Sequence, residues 1–306
     1  MFRKHTRRAA KAAYAVSLGV ALLIGLIGAA GATAAPKAAP TIVIGTKNFP
    51  EQYILGQLYK QALEAAGFTV SYKENIGSSE LIDTAITSGK INFYPEYTGV
   101  IVQDLAKKPS PKTGTATYNQ AKAFEQTRGL TLLNATPFYD SDSFGMLTST
   151  AQKLGVKTIA DMKKVKSFSF AGYPECKTRA TCLLGLKNTY GLTQVKFVPL
   201  ASISVYTLLD QGKITSGDVF STDPQLLDSK YTVLTDTKHI FGFQNVAPVV
   251  SQKTLSAAGP KFAQIVNKVS AKLTLGAMKA MNKAVIVDKK TPAAVAGAFL
   301  KANNLG

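Results

Sequence analysis

The sequence predicts an α/β protein of two lobes that close on each other as a clamshell. Three observations carry this reading. A strand–helix–strand–helix–strand order with short links occurs twice. The two runs are joined by segments of a different composition. A helical tail remains to pack back on the first run. The first run opens with TIVIG (41–45), a short apolar stretch that reads as a buried strand ending at Gly45. After TKNFP, the residues Ile54, Leu55, Leu58, Tyr59, Ala62 and Leu63 recur on one helical face, and Gly67 closes that helix. FTVSYKE is the next strand. Ser78 or Ser79 caps a second helix, with Leu81, Ile82, Ala85 and Ile86 on its apolar face and Gly89 at its end. INFY then runs into Tyr94, Pro95, Glu96 and Tyr97. Proline has no N–H for a ladder, so Pro95 is expected to stop the strand and begin a helix, leaving Tyr97 at the strand's carboxyl end.

The second run repeats the plan. KSFSFAG (166–172) is a strand, a helix is expected between Arg179 and Tyr190, and VKFVPL is a strand. SVYTLLDQ is a helix closed at Gly212, and DVFSTDP is a strand that meets Pro224. Between the runs, FYDSDSFGMLTS (138–149) and HIFGFQNVAPVV (239–250) are expected to be two crossings. Lobe one is then 35–142 with 247–306, its tail from Lys261 helical and rich in Ala and Lys; lobe two is 143–246. Ligands of such folds bind in the cleft, at the carboxyl ends of strands. Tyr97, Phe144 in the first crossing and Phe220 at the end of the equivalent second-lobe strand are therefore expected to converge on one space. Ordinary core packing is the alternative for Phe144 and Phe220. Asp223, in STDP, reads as a cap or turn residue.

Composition narrows the chemistry. The chain has 306 residues, 46% of them hydrophobic, enough for real cores. Two Cys and two His are too few for a Cys/His zinc cluster, so no metal and no cofactor is expected. Residues 1–34 begin with Arg3, Lys4, Arg7, Arg8 and Lys11, continue as an apolar run and end in Ala32-Thr33-Ala34. That is the layout of a cleaved secretory signal, with an uncleaved anchor as the alternative. The net charge of +18 falls to +13 once those five bases are removed. The protein is expected to be exported, periplasmic or extracellular, free or associated with membrane or wall. Its bases are dispersed and it leaves the cytoplasm, so nucleic acid is not an expected partner. Cys176 and Cys182 stand six apart, and in an oxidising compartment they are expected to form a disulfide. One mature His, His239, leaves none to spare for a catalytic triad, and no Gly-rich phosphate loop is present. An enzyme on the same scaffold would have to use an acid pair such as Glu96 with Asp142.

The stretches TIVIGTKNFPEQYILGQLYKQALE, IGSSELIDTAITSGKINFYPEYTG, RATCLLGLKNTYGL and VFSTDPQLL resemble the substrate-binding proteins of osmoprotectant ABC importers, the glycine betaine/choline/carnitine type. GTKNF and PEYTG are the specific stretches, and the likeness spans nearly all of the mature chain. It implies a type II periplasmic-binding-protein-like clamshell, a monomer that delivers a small molecule to a membrane permease, and a cage of aromatic rings around a quaternary ammonium. A trimethylammonium has no N–H, so ring faces hold it where directed hydrogen bonds cannot. Carried over residue by residue, Lys47 and Arg179 resemble the family's carboxylate-binding cations, Tyr97 a cage tyrosine and Asp142 an acid beside the cage. Phe144, Phe220 and Gln244 stand where cage tyrosines are usual, and Val100 where Thr is common. A quaternary-ammonium osmoprotectant of the glycine betaine/choline type is the expected ligand, and those departures set beside it the alternative of a more polar, non-betaine molecule to which Gln244 offers an amide.

Overall fold

The computed structural model describes residues 40–201 and 203–306; the expected signal segment lies outside them. Ten strands form two five-stranded sheets. They are β1 (Ile42–Lys47), β2 (Val70–Gly77), β3 (Phe93–Tyr97), β4 (Leu130–Leu132), β5 (Asp142–Leu147), β6 (Phe168–Gly172), β7 (Val195–Pro199), β8 (Ser216–Phe220), β9 (Tyr231–Val233) and β10 (Val246–Ser251). The first sheet has the order β2-β1-β3-β10-β4 and the second β7-β6-β8-β5-β9. In each, the first three strands run parallel, the fourth (β10 or β5) runs antiparallel to both its neighbours, and the fifth therefore points the same way as the first three. β3 and β8 hold the same place in the two sheets, as the order of elements in the sequence implied.

Helix α1 (Pro50–Ala65) buries Ile54, Leu55, Leu58, Tyr59, Ala62 and Leu63, the face the periodicity marked. Its stripe packs on Phe93, Val246 and Val250 of the first sheet and on the tail helices Pro260–Lys272, Leu275–Ile286 and Pro292–Ala302, through Val266, Val269, Met278 and Leu300. Helix α2 (Ser79–Thr87) buries Ile82, Ala85 and Ile86, whereas Leu81 is exposed, outside the stripe. Phe144, Met146, Phe168, Phe170 and Leu186 lie in a separate core under the second sheet.

Three expectations need correction. Pro95 does not stop β3, which runs through it to Tyr97, and helix begins only at Thr98. Pro95 sits opposite Pro248 of β10, and Leu133 N donates to the Pro248 carbonyl from the far side, so this rung is one where neither strand needs an N–H toward the other. β1 meets β3 only at Ile44–Phe93, so no rung is lost on that flank. The expected crossings are also partly sheet: β5 and β10 lie inside them, antiparallel to β8 and β3. The helix expected from Arg179 is shorter, a 3₁₀ turn Pro174–Thr178 followed by Leu183–Asn188, because the Cys176–Cys182 disulfide closes a loop between them.

Candidate functional site

The topology brings strand ends to one place. β1, β3 and β8 end at Lys47, Tyr97 and Phe220, and the antiparallel β5 starts at Asp142, paired with Phe220. These ends border a partly open cavity of about 50 Å³, on the scale of 10–15 Å³ per water-sized group room for roughly a trimethylammonium and little more. Lys47, Tyr97, Asp142, Arg179, Phe220 and Gln244 all line it.

Phe144 does not. It is fully buried, with ring centroids 5.0 Å from Phe170 and 6.0 Å from Phe168. Alternation along β5 puts it on the same face as Asp142 but one pleat repeat deeper, beneath the cavity floor. Its place is taken by two rings that sequence reasoning missed, Phe49 and Tyr173. Phe49 is the N-cap residue of α1, extended at φ −145° and ψ 159° because Pro50 follows it. That geometry turns its ring into the cleft, where it stacks on Tyr97 at 6.3 Å and on Phe220 at 6.0 Å. Tyr173 packs on Phe220 at 6.4 Å. The available signal was the repeated layout of an aromatic between a strand end and a proline, in NFP and in GYP.

The cations are already engaged. Lys47, 4% exposed, has its Nζ 2.5 Å from Glu96 Oε1 and 3.1 Å from Ser79 Oγ. The same ammonium lies 4.1 Å from the Tyr97 ring centroid and 5.5 Å from that of Phe49. One ring pair is thus shown holding a buried cation, the protein's own. Burial pushes Lys47 below the usual lysine value, against the charge and hydrogen bond of Glu96. Arg179 of the second lobe donates to Glu80 at the first turn of α2, and its Nε is 3.9 Å from Asp104. Burial would raise Glu80, but Arg179 outweighs it and holds the carboxyl at about 2. Gln244 is spent on structure. Its Oε1 accepts from Val100 N and its Nε2 donates to the Phe241 carbonyl, each at 3.0 Å. It packs so closely under Gly99 that a Cβ there would fall 2.7 Å from the amide. Both polar atoms of Gln244 are thus engaged by the backbone.

Glu51, in the first turn of α1, joins the lobes. It accepts from Tyr97 Oη (2.9 Å), from Thr222 Oγ1 after β8 (2.6 Å), and from Asn282 Nδ2 of the tail (2.8 Å). With the Arg179–Glu80 pair, it ties the two sheets together across the cleft.

The site is rich in carboxyls held above their usual range. Burial raises Asp142 to about 6, Asp104 adding and Arg179 opposing, and burial raises Asp223 to about 6. Asp140 and Asp218 are pushed further up by burial and by neighbouring carboxylates. Between the ordinary carboxylate range and these raised values the folded protein binds more protons than the unfolded chain, so stability falls as pH rises through that interval. Glu80, held low, titrates below it. The ligand-free protein is therefore expected to melt at a higher temperature at about pH 5 than at about pH 7.5, followed by scanning calorimetry. A lower melting point at the acid end would contradict this account.

Two sheets on either side of a cavity, with rings and paired charges at the strand ends, define a solute-binding protein of the clamshell kind. The family described as "Substrate binding domain of ABC-type glycine betaine transport system" matches residues 40–302, and the chain belongs to it. It is the substrate-binding component of an ABC importer, a transport protein that binds a small solute and works with a membrane permease. It is 31% identical over 282 residues, 87% of this chain and 89% of the other, to a glycine-betaine-binding protein of Pseudomonas aeruginosa. It is 28% identical over 267 residues to an ergothioneine transport permease/ergothioneine binding protein of Helicobacter pylori; this covers 85% of this chain and 47% of that longer one. The crystal structure of a glycine betaine/carnitine/choline ABC transporter protein shares the fold, with TM-score 0.69 at 22% identity, over 86% of this chain and 99% of that one. Among the described residues no helix is long and apolar enough to cross a membrane.

Proposed function

We propose that the ligand is a quaternary-ammonium compound, held with its cation among Phe49, Tyr97, Tyr173 and Phe220 and with any carboxylate toward Lys47 and Arg179. The observation that carries this is the set of rings at paired strand ends, one of which already faces a buried ammonium. Each ring face contributes about 0.5–1 kcal/mol when wet and about 2 when dry. Micromolar affinity needs about 8 kcal/mol, so contacts beyond the rings must help. Asp142, enclosed by both lobes, favours a cation once ionised. The carboxyls of the cleft act in this reading as binding groups and not as a catalytic acid pair. The relatives' names place glycine betaine and ergothioneine among the compounds to try, and choline, carnitine and proline betaine extend the class.

The lobes are drawn as 35–142 with 247–306 and as 143–246, hinging about the 138–149 and 239–250 segments. Export by the leader, with the mature protein monomeric outside the cytoplasm, completes the reading. Calorimetric titration with the five compounds tests it: at least one is expected to bind in the micromolar range. No binding by any of them, together with no change in any ligand's affinity on Tyr97→Ala, would dismiss the cage.

A further inference from the structure

A second chamber of about 250 Å³ adjoins the cage and shares Phe49, Tyr173, Phe220, Asp140 and Asp218 with it. It differs in charge. The cage has Lys47 and Arg179 on its wall beside Asp140, Asp142, Glu175 and Asp218, whereas the chamber is bordered by Glu51, Asp140, Asp218 and Asp223 and, among the described residues, by no basic side chain. In a protein of strongly positive net charge this is a local reversal. Four acids alone would prove little, since Glu51 and Asp223 are satisfied internally.

The telling groups are acceptors without donors. Asp218 is 5% exposed, and among the described residues no donor reaches its Oδ1. Its Oδ2 has Cys182 Sγ at 3.7 Å, but that sulfur is in the disulfide and has no hydrogen to give. Asn282 is 2% exposed; its Nδ2 is committed to Glu51 and to the Thr222 carbonyl, which leaves Oδ1 unpartnered. Gln225, also on the wall, has a buried Oε1 in the same condition. Buried acceptors are almost always paired, and leaving one without a donor is costly. Three bordering one chamber call for donors that arrive from outside the chain. The cage, meanwhile, is too small to enclose more than the head of a ligand.

We propose that the chamber is a donor-selective subsite that receives the far end of the ligand and prefers one carrying N–H groups, a protonated amine or nitrogen heterocycle, over an alkyl end of the same size. Asp218 borders both spaces and would face both the quaternary head and the donor-bearing tail. Asn282 and Gln225 would supply neutral acceptors, and Leu200 and Ile203 the apolar wall. This rests on reading the first cavity as a cation cage.

The test compares three probes on the wild-type protein by titration calorimetry: tetramethylammonium, propyltrimethylammonium and (3-aminopropyl)trimethylammonium. The amine is expected to bind about tenfold or more tighter than its alkyl counterpart, the gain of one hydrogen bond to a charged group. In Asp218→Asn and in Asn282→Leu, each checked for folding by circular dichroism, the amine-to-alkyl ratio is expected to shrink to below about threefold. Equal binding of amine and alkyl probes would overturn the subsite and leave the cage standing. An amine advantage that persists in both variants would trace it to overall charge and overturn the subsite too. Failure of all three probes to bind would sink the cage, and the subsite with it.

Discussion

Phe220→Ala is expected to weaken binding of a quaternary-ammonium ligand by about tenfold or more, with little loss of fold stability. A desolvated ring face contributes about 2 kcal/mol toward such a cation, and 1.4 kcal/mol is tenfold. Phe220 is partly exposed, at the end of β8, and joins Phe49 of the opposite lobe to Tyr173 of its own. Removing it takes away one of the second lobe's two cage rings, leaving Tyr173, and lets water reach the cation. Phe144→Ala supplies the contrast. That ring is wholly inside the core with Phe168 and Phe170, so its loss is expected to cost about 3–5 kcal/mol of stability and much less in affinity. Urea denaturation and calorimetric titration of both variants separate the two effects. A Phe220→Ala protein with unchanged affinity would remove the ring from the site.

Lys47→Ala is expected to be among the most destabilising single changes in the chain, by about 3–5 kcal/mol, the range for breaking a buried ion pair from one side. Glu96 is fully buried, and its Oε1 receives both the Lys47 ammonium and the Tyr97 backbone N–H. Its Oε2 has no partner among the described residues. Without the lysine, this fully buried carboxyl group loses its ammonium partner at the strand end. Lys47→Met combined with Glu96→Gln is expected to recover most of the lost stability, because removing both charges removes the unpaired one. The two denaturation midpoints check this. If the single and double variants unfold alike, the Lys47–Glu96 pair does not hold the site together. The same variants bear on function: a role for Lys47 toward a ligand carboxylate predicts a larger loss for glycine betaine than for choline.

The comparison of sequence with structure turns on the range of the forces involved. The faces of α1 and α2 were readable because burial recurs at the helical period, and each residue's place on a face depends only on its near neighbours. Leu81 misled because it lies at the margin of such a face, where the period cannot say which side the sheet covers. Pro95 misled for a related reason. Proline's missing N–H is a local fact, but whether a strand needs that N–H depends on its partner, and the partner here is Pro248, more than a hundred residues away. Phe144 and Asp142 share a face of β5, and only the depth of the strand beneath the cleft separates a core ring from a cavity acid.

Strand–helix order, closing glycines, the disulfide spacing and the strand-end placement of Tyr97 and Phe220 were determined by the sequence itself, through periods and backbone rules that act over a few residues; Lys47, expected just past a strand ending at Gly45, is the last residue of β1. Only the tertiary structure decided that Phe49 and Tyr173 complete the ring set, that Arg179 meets Glu80 and Gln244 serves the backbone, and that unpartnered oxygens of Asp218 and Asn282 border one chamber. These are contacts between distant parts of the chain, chosen by how two independently formed sheets fit against each other, and no local pattern encodes that fit.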